Sequence, residues 1–528
     1  MSSYDYIVVG AGSAGCVIVN RLIGAGKSVL LLEAGKADNT PFIHIPATFV
    51  RVLGTERTWN YRTEPEPGAN GRVMHIPQGK TLGGSSSVNA MIYIRGQAED
   101  YDSWRDAGCV GWGYDDVLPV FKRSEANQRL SGDLHGVDGP LRVSDTRHRH
   151  PLSYAFLRAA QETGIRYNDD FNGERQEGVG FYQTTTFDGR RGSTAATFLK
   201  AVRNSPLLTL HTEATVEGLI LENGAASGVR YRHANGEVKS ATVREEVIVS
   251  SGGIGSPKVL MLSGIGPTAQ LSGVGIPVIR DLTGVGENFQ DHISASVYGL
   301  TKNPVSLFGN DKGWRAARNG LQYLLWRTGL LTSNVVESGA FVDTSGCGRP
   351  DVQLHVVPTL VGDADRAPPQ LHGISLNPCV LRPTSRGTVT LQNADPATPL
   401  AIKANNLTTG QDIDTLVRGV ELCRKILRAP SLKSIIDREL APGEPETLDR
   451  ATIENHCRQF AKTVFHPSGT CRMGTDETAV VDTQLRVRGV ARLRVADASI
   501  MPLLVSGNTN APSIMIGERC ADFVLARR

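Results

Sequence analysis

The chain has 528 residues, of which 40% are hydrophobic, 21% charged and 6% aromatic, and its formal net charge is +3. This composition is typical of a globular protein and excludes disordered, collagen-like and coiled-coil classes. Basic residues are dispersed, and no apolar run reaches the length of a membrane span, so we expect neither nucleic-acid binding nor a membrane-spanning segment. Its eight cysteines form no C-x-x-C pair, which argues against a structural metal or a disulfide framework.

The first forty or so residues carry a β-α-β pattern. A strand at residues 6–9 leads into the turn Gly10-x-Gly12-x-x-Gly15, a helix follows, and a second strand at 28–32 ends at Glu33. Glycines let backbone N–H groups approach a pyrophosphate, and a carboxylate after the second strand can accept hydrogen bonds from a ribose. The pattern predicts a dinucleotide site, and it leaves NAD and FAD open. Because the strand begins so near Met1, no signal peptide precedes it, and we expect a cytoplasmic protein.

Later segments predict a continuation of this first unit, a second unit, and a return to the first. The pattern indicates strands at 246–250, 352–356, 387–391 and 485–495, and helices at 257–262, 314–325 and 513–525. Alternating strands between about 300 and 460 favour a largely antiparallel second domain. The helix at 314–325 is amphipathic, and an ordinary packing face is its expected role, ahead of contact with a membrane or a partner.

Five ordered motifs along the chain resemble those of the glucose-methanol-choline oxidoreductase family. The first is a loop of the form Gly-basic-x-Leu-Gly-Gly-Ser-Ser, matched from Gly79 to Asp102. The others are found at 252–266, 284–292, 465–470 and 495–502. In the second family signature, Gly253 stands where a small non-glycine residue is usual. The resemblance spans nearly the whole chain.

The resemblance implies an α/β fold with a Rossmann-like FAD-binding domain, similar to p-hydroxybenzoate hydroxylase, and an α+β substrate domain containing an antiparallel sheet. We expect the FAD-binding domain at 1–155, 205–300 and 465–528, and the substrate domain at 156–204 and 301–464. The implied cofactor contacts are Gly10, Gly12, Ser13, Ala14, Gly15, Glu33, Ala34, Gly83, Ser86, Asn89, Ala90, Met91, Val216, Asp497 and Ala498. Val88 stands where some members attach the flavin to a histidine, so we expect non-covalent FAD.

By the same resemblance, His466 is the catalytic base and Asn510 the second catalytic residue. An alcohol gives up hydride readily only after losing its hydroxyl proton, and neutral imidazole suits that task. An amide can donate a hydrogen bond to the developing alkoxide. An alternative role for Asn510 is to cap the helix that follows it.

The predicted activity is FAD-dependent oxidation of a primary alcohol to an aldehyde, with proton abstraction by His466 and hydride transfer to flavin N5. We expect an uncharged alcohol and either O2 or a quinone-like acceptor. Phe465 offers an apolar wall; Glu337 could face the pocket and favour a cationic substrate, or be structural, and His355 could line the pocket or fill the core. The alternatives are a choline dehydrogenase, a non-redox hydroxynitrile lyase of the same family, and an NAD-linked enzyme, which would leave the other motifs unexplained.

Overall fold

Two β-sheets organise the chain in a computed structural model that describes residues 2–363, 366–444 and 446–526. The first sheet has seven strands. They are Ser3–Val9, Val29–Leu32, Leu208–His211, Ala214–Glu222, Ala225–His233, Val238–Val249 and Leu493–Val495. The first strand lies parallel between two neighbours, with Val8 opposite both Leu31 and Ile248. All three side chains are fully buried, as the apolar run of a parallel strand covered on both faces predicts.

The second sheet has eight strands, and every pairing in it is antiparallel. Its strands are Gly178–Phe181, Ile293–Ala295, Val297–Thr301, Ser338–Val342, Val352–Val357, Gly373–Val380, Ile436–Ala441 and Ala461–Thr463. Helix Gly410–Arg428 packs across one face of this sheet. Because strand side chains alternate between faces, Leu354 joins the apolar core on the helix side, whereas His355 faces the opposite side and lines a cavity.

The helices and short pairings complete the fold. The α-helices are Ser13–Gly24, Pro41–His44, Ala98–Asp106, Tyr114–Ser124, Pro151–Glu162, Lys200–Val202, Gly252–Leu262, Thr268–Gly273, Gly313–Trp326, Gly410–Arg428, Pro430–Lys433, Arg450–Phe460 and Asn510–Leu525. Short 3-10 or π-helical turns are Pro46–Arg51, Pro67–Ala69, Gly84–Ser87, Ala195–Leu199, Leu330–Thr332 and Ala498–Ile500. The minor strands are Thr58–Arg62, His75–Gly79, Glu125–Asn127, Leu141–Asp145, Gln183–Thr184, Thr186–Phe187, Arg190–Arg191, Ile265–Gly266, Arg280–Asp281, Thr388–Thr390 and Ala401–Lys403. Within the described parts of the chain, no helix combines the length and the hydropathy of a transmembrane span.

The expected α/β fold with an antiparallel second sheet is confirmed, but the two units share the chain differently from the expected division. The boundary at 155 falls inside helix Pro151–Glu162, whose Leu152 belongs to the core of the second sheet. Conversely, Val389 lies in the core of the first sheet. The predicted strand at 485–495 is also wrong over most of its length. Gly489 has φ +80 and turns the chain back, so that only Leu493–Val495 joins the first sheet.

The closing helix fixes the C-terminal segment onto the first sheet. Asn510–Leu525 packs against Ser13–Gly24, so closely that a Cβ on Gly517 would lie 2.7 Å from the carbonyl oxygen of Ala14. The fully buried Glu518 lies between two arginines. It is 2.6 Å from Arg21 and 3.0 Å from Arg123, and it also accepts a hydrogen bond from Ser124.

We expect Glu518→Ala to lower the thermal midpoint by a few degrees, since a buried carboxylate with charged donors contributes about 2–3 kcal/mol and the two arginines are left partly exposed. Thermal scans at one fixed rate measure the change. Asp522→Ala is the matched control. Asp522 pairs with the same Arg123 but its side chain is 39% exposed, so its removal costs less than about 1 kcal/mol. Equal shifts of the thermal midpoint for both variants would mean that Glu518 stabilises the closing helix no more than the exposed Asp522 does.

Candidate active site

A cavity of about 2180 Å³ is lined by residues of both sheets. One end is formed by the glycine turn and by the strand ends of the first sheet. The other end is formed by the cavity-facing side chains of the second sheet and by the segment around His466. The cavity therefore joins the predicted nucleotide site to the predicted catalytic residue.

The glycine turn has the close packing that a dinucleotide site requires. Gly10 has φ +100, and a Cβ on Gly15 would lie 2.0 Å from the Gly10 carbonyl oxygen, so neither position admits a side chain. Glu33 accepts hydrogen bonds from the backbone N–H groups of Ala11 and Gly35 at 2.9 and 2.8 Å. Burial raises the pKa of Glu33 to about 7. These hydrogen bonds hold the Glu33 carboxylate against the glycine turn.

The second predicted loop packs directly on the first. A Cβ on Gly84 would lie 2.7 Å from Gly12 Cα. Ser86 turns its hydroxyl into the protein, where it bonds to the Gly83 carbonyl at 2.6 Å and lies 3.0 Å from the Thr194 hydroxyl. Neither Gly83 nor Ser86 lines the cavity, so the structure does not support their expected direct contact with the cofactor; Gly84 and Ser85 line it instead.

The remaining predicted cofactor residues, apart from Gly15, line the cavity. They are Gly10, Gly12, Ser13, Ala14, Glu33, Ala34, Asn89, Ala90, Met91, Val216, Asp497 and Ala498. The carboxylate of Asp497 accepts hydrogen bonds from the backbone N–H of Gly252 and the hydroxyl of Ser256, which ties the C-terminal segment to a helix of the first sheet. Val88 also lines the cavity. A long groove with a glycine cradle at one end and an apolar side chain at the attachment position fits a non-covalent flavin dinucleotide.

His466 is held in one tautomer by a chain of hydrogen bonds. His292 Nε2 lies 3.0 Å from the Leu381 carbonyl, which can only accept, so this nitrogen carries the proton. His292 Nδ1 is then an acceptor, and it lies 2.9 Å from His466 Nδ1. His466 therefore donates through Nδ1, and its Nε2 carries the lone pair. Burial, with His292 and His355 beside it, holds the pKa of His466 well below its usual 6.5, so the imidazole is neutral at pH 7.

The residue that lies beside this lone pair is Asn508. Its Nδ2 is 3.4 Å from His466 Nε2. Tyr182 donates its hydroxyl proton to the Leu354 carbonyl, so it accepts from Gln353 Nε2, which also donates to Asn508 Oδ1 at 3.2 Å. Gln353 thereby turns the Asn508 amide so that its N–H groups face the imidazole.

Asn510, the residue that sequence reasoning selected, lies elsewhere in the cavity wall. Its Oδ1 accepts a hydrogen bond from the Ser13 hydroxyl at 2.8 Å, and it is the first residue of the closing helix. The structure thus places Asn508, two residues earlier, beside His466 and places Asn510 at the glycine turn. The alternative role of Asn510 as a helix cap is not observed, because Thr509 holds the N-cap position and no side chain caps this helix.

Two of the three predicted substrate contacts line the cavity, and the third does not. Phe465 and His355 line the cavity, and burial lowers the pKa of His355 to about 3. Glu337 does not line the cavity, so of its two expected roles the structure supports the structural one and not contact with a cationic substrate. It is fully buried, and its carboxylate bonds to His148, Ser333, Ser153 and the backbone of His150. It serves as a structural carboxylate.

Lys462 is a cavity residue that sequence reasoning missed. It lies on strand Ala461–Thr463 and lines the cavity close before His466 in the chain. Its Nζ donates to Ser296 Oγ at 2.7 Å and to Asn377 Oδ1 at 3.1 Å. Burial lowers the pKa of Lys462 to about 8, so the ammonium is still mostly charged at pH 7. Its alternation with the buried Ala461 was the available signal, since it places Lys462 on the face opposite the helices.

A dinucleotide cradle and a neutral imidazole with its lone pair directed into the same cavity define a nucleotide-dependent oxidoreductase. Comparisons agree: residues 4–294 and 383–517 match the family model described as GMC oxidoreductase. The chain belongs to this glucose-methanol-choline family and is a FAD-dependent oxidoreductase acting on CH–OH groups.

Several relatives match nearly the whole chain. An alcohol dehydrogenase (acceptor) of Pseudomonas putida is 43% identical over 99% of this chain and 96% of its own length. The mitochondrial choline dehydrogenase of Homo sapiens is 41% identical over 99% of this chain and 89% of its own. Among solved structures, pyridoxine 4-oxidase from Mesorbium loti superposes with a TM-score of 0.90 at 32% identity, covering 99% of this chain and 100% of that one.

The pH dependence of anaerobic flavin bleaching by an alcohol should follow His466. Because burial favours the neutral imidazole and lowers its pKa, the rate should rise with pH through an ionisation below pH 6.5 and stay flat above it. Asp291 accepts the His466 backbone N–H, and burial raises its pKa to about 7, so Asp291→Asn is the control. A rise centred at pH 7 that this variant removes would assign the ionisation to Asp291 instead.

Proposed function

We propose that the protein oxidises an uncharged primary alcohol to the aldehyde. FAD, when bound, accepts the hydride from the alcohol carbon. The observation that carries the proposal is the hydrogen-bond chain from the Leu381 carbonyl through His292, which leaves His466 Nε2 as an unprotonated base inside the cavity. The glycine turn and first sheet form the FAD-binding part, and the second sheet forms the substrate wall, in an arrangement like that of p-hydroxybenzoate hydroxylase.

In this proposal His466 Nε2 takes the hydroxyl proton. Its neutral state at pH 7 follows from burial, and its position follows from the bond to His292 and from the Asp291 carboxylate that accepts its backbone N–H at 2.8 Å. The proton that His466 already carries on Nδ1 stays in the bond to His292, so the new proton enters at the cavity face. A general base positioned in this way contributes about 10²- to 10⁴-fold to the rate.

Asn508, rather than Asn510, is the second catalytic residue of the proposal. Its amide N–H groups face the point at which the hydroxyl oxygen would approach His466 Nε2. An amide carries no charge and takes no proton, so it can stabilise the developing alkoxide without competing with the base. Gln353 and Tyr182 serve as positioning residues because they fix the direction of that amide.

A lysine on the second sheet favours an uncharged alcohol over choline, although carboxylates line other parts of the cavity, among them Glu64 and Glu213. Lys462 places an ammonium in the same cavity as His466, and like charges in a partly desolvated site repel strongly. Glu337, the carboxylate that could have balanced a trimethylammonium group, is buried elsewhere. Asp363 also lines the cavity, but it lies 3.6 Å from Arg72, so its charge is shared with that arginine. The choice between O2 and a quinone-like acceptor stays a prediction.

Substitution of the two catalytic positions tests the assignment. We expect His466→Ala to slow anaerobic flavin bleaching by at least about 10²-fold, and Asn508→Ala by roughly 10- to 10³-fold through loss of one donor. Stopped-flow absorbance of the FAD-loaded proteins measures both rates. Bleaching by alcohols also separates this activity from a lyase, whose flavin would stay oxidised.

Asn510→Ala is the matched control, because it removes the same side chain two residues away. It should bleach within about tenfold of wild type, and its effect should fall on FAD retention through loss of the bond to Ser13. If Asn510→Ala were slow and Asn508→Ala fast, the second catalytic residue would be Asn510 after all. A fast His466→Ala variant would place the base elsewhere.

Replacing the charged Lys462 should improve the oxidation of a cationic alcohol. We expect Lys462→Gln to raise kcat/KM for choline by at least about tenfold relative to a neutral alcohol such as hexanol, since a unit charge at close range in a partly buried site is removed. Steady-state assays with both alcohols measure the ratio.

Lys80 provides the control for a general change of charge. It also lines the cavity, but its ammonium lies over the Trp59 ring at 4.3 Å, and its charge acts on Glu33 beside the glycine turn. Lys80→Gln should leave the choline to hexanol ratio unchanged. Choline as the best substrate of the unmodified protein would contradict the proposed substrate class.

A further inference from the structure

Helix Gly313–Trp326 exposes the apolar face that the sequence predicted to be packed. Trp314, Leu321, Leu324 and Leu325 have exposed fractions of 68%, 57%, 68% and 59%. With Ala317 they recur three or four residues apart, which places them along one side of a helix. The expectation of an ordinary packing face is therefore wrong.

The side that packs on the protein is the opposite, polar one. Asn319 and Tyr323 are the buried residues of this helix. Asn319 donates to the carbonyl of Asn310, and the Tyr323 hydroxyl donates to the carbonyl of Gly189 at 3.0 Å. The helix is thus attached by hydrogen bonds through its polar side, and its hydrophobic stripe faces outward.

The charges around the stripe are all positive on the helix itself. Arg315 and Arg318 are exposed, and the helix between Gly313 and Trp326 contains no carboxylate. Arg318 lies over the Trp314 ring at 5.1 Å, and Asp311 and Lys312 precede the helix. A partner for this surface must therefore offer an apolar layer and negative charge together.

We propose that helix Gly313–Trp326 docks the enzyme onto an anionic lipid bilayer. Its 14 residues span about 21 Å, too short to cross a bilayer core of about 30 Å, so the helix lies in the interface. Leucines enter the acyl boundary, the tryptophans near each end lie at the headgroup level, and the basic side chains contact anionic headgroups. A bilayer also accommodates a protruding convex helix, for which a protein partner would need a matching groove.

The docked surface adjoins the wall of the cavity. The turn Leu330–Thr332, just after the helix, packs against the turn Pro46–Arg51. In that second turn Phe49 lines the cavity, whereas Val50 is 54% exposed. A bilayer bound to the helix would therefore lie close to the outer side of the cavity wall. The proposal does not depend on the proposed substrate or on catalysis.

Co-sedimentation of the FAD-loaded protein with vesicles tests the proposal. The protein should pellet with vesicles of phosphatidylcholine mixed with phosphatidylglycerol, and less with phosphatidylcholine alone. Leu321→Ser with Leu324→Ser should lower the partition coefficient at least about tenfold, because two large apolar side chains no longer enter the lipid. Arg315→Gln with Arg318→Gln should lower it roughly fivefold for each charge, and added salt should reproduce that loss.

Val110→Ser is the control, since Val110 is 77% exposed but lies outside the helix; it should pellet like wild type. Retention of bound FAD by every variant shows that each remains folded. No sedimentation with the anionic vesicles, or equal sedimentation of wild type and the leucine variant, would overturn the proposal. Dimerisation in solution that the leucine substitutions abolish would also overturn it, because the surface would then be an interface between copies of this chain.

Discussion

The hydrogen bond between His292 Nε2 and the Leu381 carbonyl determines the chemical state of the active site. A carbonyl accepts hydrogen bonds and cannot donate them, so it fixes the proton of His292, which in turn fixes the proton of His466. Without this constraint, either ring nitrogen of His466 could carry the proton. Because Leu381 directly follows strand Gly373–Val380, the tautomer that the proposed proton transfer needs depends on the second sheet.

The proposed second catalytic residue, Asn508, is also oriented by the second sheet. Asn508 belongs to the loop before the closing helix, which packs on the first sheet, but its amide is turned by Gln353 of the second sheet. Each side chain of the proposed catalytic pair is therefore supplied by one part of the chain and oriented by another. The preorganisation of both groups depends on how the two sheets meet, and the cavity lies at that junction.

Sequence reasoning predicted the features that depend on local pattern. The glycine turn, Glu33 and the placement of His466 follow from spacing or from motifs, because the turn itself requires glycine. Asn508 could not be singled out from the sequence, because its place beside His466 depends on a contact with Gln353, and the catalytic role of Asn510 stays a prediction. The sequence left Glu337 open between a pocket role and a structural role, because the partners that decide this lie far away in the chain at His148 and His150.

Helix Gly313–Trp326 shows a different limit of sequence reasoning. Its periodicity correctly predicts a helix with one apolar side, but periodicity is the same whether that side is buried or exposed. Only the attachment of the polar side through Asn319 and Tyr323 distinguishes the two cases, and those contacts are tertiary.

Strand Val352–Val357 has a consequence for engineering this enzyme. On the side opposite Leu354 the strand presents Gln353, which orients the Asn508 amide, and then His355 and Val357, which line the cavity. His355 also contributes to the lowered pKa of His466. The alternation of the strand keeps these positions independent of the core behind it, where Leu354 packs. A library that varies position 357 can therefore reshape the cavity wall without touching the groups of the proposed proton transfer, whereas libraries that include position 353 or 355 would also change the orientation of Asn508 or the pKa of His466.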